Sequence, residues 1–523
     1  MINIYEPNIK EYTESAKKAI NDGWISNHGE FISKSTNKLN DILKSKYSIL
    51  MCNGTCATHC LFLSLKYKYP NISKIYMPNN VYVAAWNTAL MVYNISNLEL
   101  MKMDLDTWNI NTKDDYIMSL EKNTAMLIVH NLGNIINVPR LKRLRPDIIF
   151  IEDNCEGFTG KYEGIYSGTS DLSLCSSVSF YGNKIITTGE GGAFITQHKD
   201  IYDYVFKIYS QGISNIRYLH DVHAYNYRMT NIESAFLYDQ LNDIETILQN
   251  KRKIFENYEI LLNDLIVQNK IKLFKIEDNT QSADWIFALR IVNNNKTIED
   301  TTSFFKDNNI DIRPFFYPIN KHNHLSMLEN NDENSNILNR EIIMIPSSPN
   351  ITYEEQLKVI NSIFKFLLFN INLNVIEIKE KNIVLLDNFI TKIRKINDKN
   401  FRYYNKRDAN VIINHIITIL LFDSNDKNNN KAATGYAHID YYDNKYWFGI
   451  YLDKEYRDKK IGDLLIKYIL NYNKILNINE INLTVDIDNT NAIKLYINNG
   501  FIMENYENIS KSTSTYYLMS KYL

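Results

Sequence analysis

"SFYGNKIITTGEGG", residues 179–192, places one lysine, Lys184, between Ser179 and the glycines Gly189, Gly191 and Gly192. A surface lysine needs only water and a flexible stem. Lys184 instead follows an apolar run (Leu172, Leu174, Val178, Phe180) and precedes a glycine turn. The stretch permits two readings: a strand, a loop lysine and a turn, or an amine held beside a ligand. The rest of the chain decides between them.

At 523 residues the chain is too long for one ordinary domain, and its 45% hydrophobic content supports sizeable cores. The formal net charge of -2 gives no global pull toward nucleic acid. The opening "MINIYEPNIKEYTESAKKAI" has no apolar core of the kind an export signal needs. No run of eighteen apolar residues predicts a membrane span. The five cysteines (Cys52, Cys56, Cys60, Cys155, Cys175) are odd in number and fit free thiols in a reducing cytoplasm. Cys52, Cys56 and Cys60 recur every four residues in an apolar pattern, which reads as helix-face packing rather than a metal site. No metal is expected.

Residues 1 to about 245 alternate strands and helices. "KIYMP" (74–78), "AMLIVH" (125–130), "DIIFIED" (147–153) and "GAFIT" (192–196) read as buried strands. Such alternation predicts a parallel or mixed sheet with helices on both faces. Residues of about 246–369 read as a smaller α/β lobe closing on a helix at "TYEEQLKVINSIFKFLL". A polar segment, 370–382, reads as a linker. From 383 to 523 a second α/β pattern follows, with "NDKNNN" (425–430) as a solvated hairpin tip.

Asp153 ends a buried strand, where open α/β sheets bind ligands. A carboxylate there is a helix N-cap or a ligand contact. "NGT" (53–55) opens a helix, and the free N–H groups of Thr55 and Cys56 suit a phosphate, although N-caps of this kind are common. Lysine, carboxylate and phosphate cup are together the parts of a pyridoxal phosphate (PLP) site.

The ordered set "DGWISNHGEFI", "NGTCA", "MPNNVYVAAWNTA", "MDLDTWNIN", "IEDNCEGFTGKYEGIYSGTSDLS", "SFYGNKIITTGEGG", "YNYRMTNIESAFLYDQL" and "IDIRPFFYPI" resembles the DegT/DnrJ/EryC1/StrS sugar aminotransferases of fold type I, over residues 1–369. The resemblance implies that Lys184 is the Schiff-base lysine and general acid–base. It implies that Asp153 pairs with the pyridine nitrogen and that Ser179, Thr55 and Cys56 hold the phosphate. Tyr82 sits where the family stacks an aromatic on the ring. Asn226 resembles the asparagine that reaches the phosphate from a partner subunit, so a homodimer is implied. Glu156, in "EDNCEGF", is similar to enzymes that aminate C4 of nucleotide 4-keto-6-deoxyhexoses, such as perosamine or viosamine synthases. Arg313 is a candidate contact to the nucleotide sugar. Asn320 departs from the histidine that many relatives carry after "YP".

"YRDKKIGDLL" (456–465) sets a charged, glycine-ended loop at a helix start, which is either a charged N-terminus or a pyrophosphate nest. With "WFGIYLD" before it and "LTVDIDNTNAIKLYINNGF" after it, the set resembles GNAT acetyltransferases over 383–523. The resemblance implies acetyl-CoA as co-substrate. Arg457 to Gly462, including Lys460, would form the pyrophosphate loop, and Ile450 to Leu452 the strand that pairs with pantetheine. Asn489 and Asn491 would lie near the cofactor, and Tyr496 would protonate the leaving thiolate unless it is a packing residue. Lys460 stands where the motif usually has glycine, and serves there if its φ is negative. His415, His438 and Asp440 are candidates for the base.

The expected protein is an α/β chain: a PLP-dependent fold type I aminotransferase with large domain and small lobe, followed by a GNAT domain. Its expected work is amination of a nucleotide 4-keto-6-deoxy sugar with L-glutamate as donor, then N-acetylation of the new amine. A 3-amino product, or a GNAT domain serving only structure, are the competing expectations.

Overall fold

The computed structural model describes every residue except 217, 330, 399–400, 402, 425–432, 458 and 509–514. The expected hairpin tip at 425–430 therefore lies outside the described residues. The chain divides into two compact units, Met1–Asn294 with Asn309–Ile351, and Asn295–Asn308 with Thr352–Leu523.

The first unit is built on a seven-stranded sheet in the order Tyr47–Met51, Gly192–Thr196, Ser176–Ser179, Ile149–Asp153, Ala125–Val129, Ile75–Pro78, Leu98–Met101. Gly192–Thr196 runs antiparallel to both of its neighbours, and the other pairings are parallel. Successive side chains of a strand face opposite sides. Accordingly Ala125, Leu127 and Val129 enter one core while Met126 and Ile128 enter the other. Burial on both faces explains why these strands read as unbroken apolar runs. The long helical stretch after residue 230 is two helices, Asn231–Asn242 and Ile244–Val267. A smaller sheet (Ile271–Lys272, Ala288–Ile291, Ile342–Met344, Arg313–Pro314) completes the unit.

The second unit carries another seven-stranded sheet: Leu373–Glu377, His415–Asp423, Gly435–Tyr442, Lys445–Leu452, Glu480–Asp486, Thr515–Tyr522, Ile502–Asn508. Its first strand lies inside the segment expected to be a linker. Leu373–Glu377 forms a continuous antiparallel ladder with Ile419–Asp423, so 370–382 is part of the fold and does not separate two domains. The polar residues there misled because an edge strand needs few apolar side chains. The helix Tyr353–Asn370, capped reciprocally by Thr352 and Glu355, packs on the helix Ile461–Ile475 within this unit. The side-chain amide of Asn471 donates to the carbonyl of Leu357 at 2.8 Å.

Lys445–Leu452 and Glu480–Asp486 run parallel, yet they pair only at Trp447 and Asn482. Beyond that point the strands part. Residues 448–452 thus face a gap in the middle of the sheet.

Candidate functional site

Three parallel strands end on one edge of the first sheet. Met51 leads to the turn at Asn53, Asp153 ends its strand, and Ser179 ends the next. Gly192 begins the antiparallel strand between them, opposite both Met51 and Ser179. A Cβ on Gly192 would lie 2.7 Å from the backbone of Asn53 and Gly54, and one on Gly54 would lie 2.8 Å from Ser179 Cβ. These glycines let two backbones and the serine converge into a tight cup.

Asn53 caps the helix Gly54–Lys68, its side chain accepting the N–H of Cys56 at 2.9 Å. The Cys56 N–H is therefore taken, contrary to the expectation that it is free. The N–H groups of Gly54 and Thr55 remain at the helix start, where the dipole favours a phosphate. Cys52 lies before the helix rather than on its face, with its sulfur 3.5 Å from that of Cys56. The strand Tyr47–Met51 ends just ahead of it, so the four-residue spacing straddles a strand-to-helix turn.

Asp153 is buried. Its Oδ1 accepts the N–H of Cys155 (3.1 Å) and the hydroxyl of Ser177 (3.4 Å), while Oδ2 takes no hydrogen bond among the described residues. Lys184 makes no ion pair there either; its Nζ lies 3.9 Å from the centre of the Trp285 ring. Trp285 is fixed by its own indole N–H, which donates to the carbonyl of Asn183 at 2.8 Å, and Tyr5 donates its hydroxyl to the carbonyl of Lys184. Glu156 is buried beside this lysine and accepts the N–H of Leu132 at 2.7 Å. Burial pushes its carboxyl up to about 7, against the pull of the Lys184 charge and the Leu132 N–H. An available carboxylate oxygen, an unpaired amine and a glycine-lined cup at a helix start are the donor set PLP requires, so the residues fit that group.

Trp285 and Tyr5 were not found by sequence reasoning. They come from distant parts of the chain and carry no local motif. Tyr82 is 61% exposed just before the helix Ala84–Leu90. Asn226 is exposed and accepts from Arg228 Nε at 3.0 Å. Arg313 is held by Asp311, with its side chain 55% exposed.

In the second unit the gap between Lys445–Leu452 and Glu480–Asp486 leaves Ile450 and Leu452 without a backbone partner on that side among the described residues. Arg457 does not extend freely: Nε donates to the carbonyl of Leu452 (2.8 Å) and a terminal nitrogen pairs with Asp398 (2.8 Å). The guanidinium thus anchors the loop to the end of the strand. Asp458 lies outside the described residues. Lys460 has φ +59°, so the condition for a serviceable lysine there, a negative φ, is not met. It occupies the left-handed conformation that the usual glycine adopts without cost. Gly462 opens the helix against Leu495, where an added Cβ would be 3.1 Å from Cδ2. Asn489 caps the helix Thr490–Asn498 through the N–H of Ala492, and Asn491 is exposed. Tyr496 is buried edge-on to Phe448 (6.4 Å) and near Phe501 (5.8 Å), its hydroxyl unpartnered among the described residues. Burial raises its phenol above the ordinary range. His415, on one strand, and His438 and Asp440, on the strand paired with it, are brought together.

Residues 7–364 match the model of the DegT/DnrJ/EryC1/StrS aminotransferase family. The chain belongs to this family. Residues 393–501 match the acetyltransferase (GNAT) family, so this DegT/DnrJ/EryC1/StrS member carries a C-terminal GNAT domain. Its relatives include the GDP-perosamine synthase of Escherichia coli O157:H7, 30% identical over 70% of this chain and 98% of the relative. The GDP-perosamine synthase of Vibrio cholerae is 29% identical over 69% and 98%. Among solved structures, Helicobacter pylori PseC, an aminotransferase, aligns with a TM-score of 0.62 at 18% identity, covering 70% of this chain and 98% of that one. The E. coli GDP-4-keto-6-deoxy-D-mannose-3-dehydratase with bound hydrated PLP aligns with 0.62 at 17%, over 69% and 99%. The first unit therefore has the fold type I architecture, and PLP is the cofactor of the sugar aminotransferase half.

Proposed function

We propose that this chain aminates C4 of a nucleotide-linked 4-keto-6-deoxyhexose with L-glutamate as donor, and then acetylates the amine from acetyl-CoA. The observation that carries the first step is Asp153 Oδ2, which takes no hydrogen bond among the described residues, at the same sheet edge as Lys184 and the Gly54–Ser179–Gly192 cup. The names of the curated relatives favour a GDP-linked sugar.

PLP, when bound, supplies an electron sink for breaking the C–H bond at the amine-bearing carbon. The chain's own residues hold and steer it. Asp153 Oδ2 keeps a proton on the pyridine nitrogen. The N–H groups of Gly54 and Thr55, with Ser179 Oγ, bind the phosphate. Lys184 Nζ takes and returns the proton. Trp285 covers that amine and limits where it swings. Burial raises the Glu156 carboxyl toward neutral pH, which suits it to donate a proton toward a substrate oxygen. Tyr82, Asn226 and Arg313, all at the surface, are left for stacking, partner and nucleotide contacts. The exposed apolar side chains of Ile213, Ile216, Tyr218, Leu219 and Val222 support a homodimer that covers this loop and brings Asn226 to a partner's cup.

For the second step, the parted strands at Ile450–Leu452 offer backbone groups to pantetheine, apart from the Leu452 carbonyl that Arg457 binds, and Tyr496 stands against that strand to protonate the thiolate. The competing reading, a GNAT domain that serves structure only, is favoured by the left-handed Lys460 and the committed Arg457.

The test is product analysis. GDP-, TDP- and UDP-4-keto-6-deoxyhexoses are supplied with glutamate, with and without acetyl-CoA. An amino sugar without acetyl-CoA and its acetamido form with it are expected. Borohydride reduction should attach the cofactor's mass to the Lys184 peptide, and Lys184→Ala should abolish both label and transamination. Turnover by Lys184→Ala would defeat the assignment. An amino sugar never acetylated would leave the structural reading of the GNAT domain.

A further inference from the structure

Four side chains, from two neighbouring strands and the segment before them, meet on one face of the second unit's sheet. Tyr403 donates its hydroxyl to Asp440 Oδ2 (2.7 Å) and bonds His415 Nε2 (2.7 Å), whose Nδ1 meets the hydroxyl of Thr418 (2.6 Å). His438 lies within this group. Its ring stacks on His415 at 4.7 Å and lies 4.1 Å from Tyr403, and its Nε2 is 3.9 Å from Asp440 Oδ2. His438 is 1% exposed, yet its Nδ1 has no hydrogen-bond partner among the described residues. A buried polar atom left without a partner is costly and calls for a reason.

The reason lies in register. His438 sits directly opposite Gly449, two residues beyond the pairing after which the strands part. A Cβ on Gly449 would be 2.3 Å from His438 Cε1 and 2.8 Å from Nδ1. The glycine therefore lets the imidazole edge rest on the strand at the mouth of the gap. Phe448, the next residue back, points to the opposite face and touches Tyr496. Tyr496 and His438 thus flank the same two residues from opposite sides.

We propose that His438 is the base that accepts the amine's proton during acetyl transfer, with Tyr403, His415 and Asp440 as positioning residues. The assignment rests on the acetyltransferase reading above. The amine nitrogen attacks the thioester carbonyl, a C–N bond forms and the C–S bond breaks. The nitrogen's proton goes to His438 Nδ1 and the thiolate takes the proton of Tyr496. Solvent then returns one proton to the tyrosinate and removes one from the imidazolium, so amine and acetyl-CoA give amide and CoA thiol. Burial holds His438 well below its usual range, with the Arg407 charge acting the same way, so its ring is neutral and can accept a proton. The groups facing it are His415, Asp440, Tyr403, Tyr436 and, beyond Tyr403, Arg407. Asp440, close to Nε2, steadies the ring once it is charged.

The experiment follows acetyl-CoA consumption by the full chain with the amino sugar it makes. His438→Gln should lose about 100-fold or more in kcat at pH 7, the usual worth of a general base, with the KM for acetyl-CoA within threefold. Gly449→Ala should lose a similar factor by pushing the ring aside. In His438→Ala, added imidazoles should restore the rate in order of their basicity, which a packing role would not produce. Parental rates in His438→Gln, or a loss that no azole rescues, would overturn the assignment. So would a stoichiometric metal whose removal stops the parent. If the parent acetylates no amino sugar, the acetyltransferase reading itself falls, and this assignment with it.

Discussion

Gly192→Ala is the sharpest probe of the cup. The new Cβ would stand 2.7 Å from the carbon and oxygen of Asn53 and the nitrogen of Gly54. Relaxed contacts between such atoms are about 3.5–4.0 Å, so something must move by about 0.8 Å or more. No rotamer can relieve it, because every atom struck is backbone. Gly192 is also laced between two strands, opposite Met51 on one side and Ser179 on the other. Overpacking of this kind costs about 1–3 kcal/mol, and a backbone clash belongs at the upper end. The softer partner is the turn at Asn53–Gly54, so the displacement falls on the N–H groups offered to the phosphate. Losing one hydrogen bond to a charged group is worth about 1.5–3 kcal/mol. PLP affinity should fall about 10- to 100-fold, together with a lower unfolding midpoint of the apoprotein. Equilibrium dialysis of PLP and urea unfolding read the two effects separately. PLP affinity within threefold of the parent would refute the reading of Asn53–Gly54 as the phosphate cup.

Three further outcomes follow from the structure. Tyr496→Phe should slow acetyl transfer by about 10²–10⁴-fold, the range of a general acid, while free amino sugar accumulates; acetylation at the parental rate would make Tyr496 a packing residue. Lys251 is fully buried with Nζ donating to the carbonyl of Ser347, and burial pushes it down to about 7. Between about pH 7 and the unfolded value near 10.4 the unfolded chain binds a proton the folded one lacks, so stability should climb with pH across that window. Lys251→Met should raise the melting temperature at pH 7 and flatten the climb; an unchanged pH dependence would show that Lys251 is charged where it sits. Lys460→Gly should leave stability within about 0.5 kcal/mol, strain relief offsetting the entropy of glycine, whereas Lys460→Val should lose about 1–2 kcal/mol. Equal urea midpoints for Gly and Val would remove the left-handed backbone from the account.

The residues that sequence made legible are those whose role follows from their place along a strand. Asp153 and Ser179 end buried runs, Lys184 follows one and Gly192 begins one, so their meeting at a sheet edge is close to forced by the parallel topology. What stayed hidden depends on tertiary packing. Trp285 reaches Lys184 from 101 positions away, and Tyr5 from 179. The capture of the Cys56 N–H by Asn53 is a local choice between a side chain and a ligand that the letters NGTC leave open. Lys460 shows the same limit for backbone conformation, since only neighbouring geometry forces a lysine into a glycine's φ. His415, His438 and Asp440 could be singled out by type, but their meeting around Tyr403 needed the register of two strands.

The helix Tyr353–Asn370 gives this chain an unusual ancestry problem. The aminotransferase family match runs to residue 364, yet the helix belongs to the compact unit that holds the acetyltransferase sheet. One stretch of sequence therefore matches one family while it packs with the domain of the other. Deleting everything after 370 would strip that helix of its Ile461–Ile475 neighbour; starting the C-terminal half at 383 would remove both the carbonyl that Asn471 binds and the first strand of the ladder. Recombination at either point would yield offspring worse folded than the parent. A fusion joined by a loose tether can be undone by one crossover, but here the join has become an inheritance the two halves must pass on together.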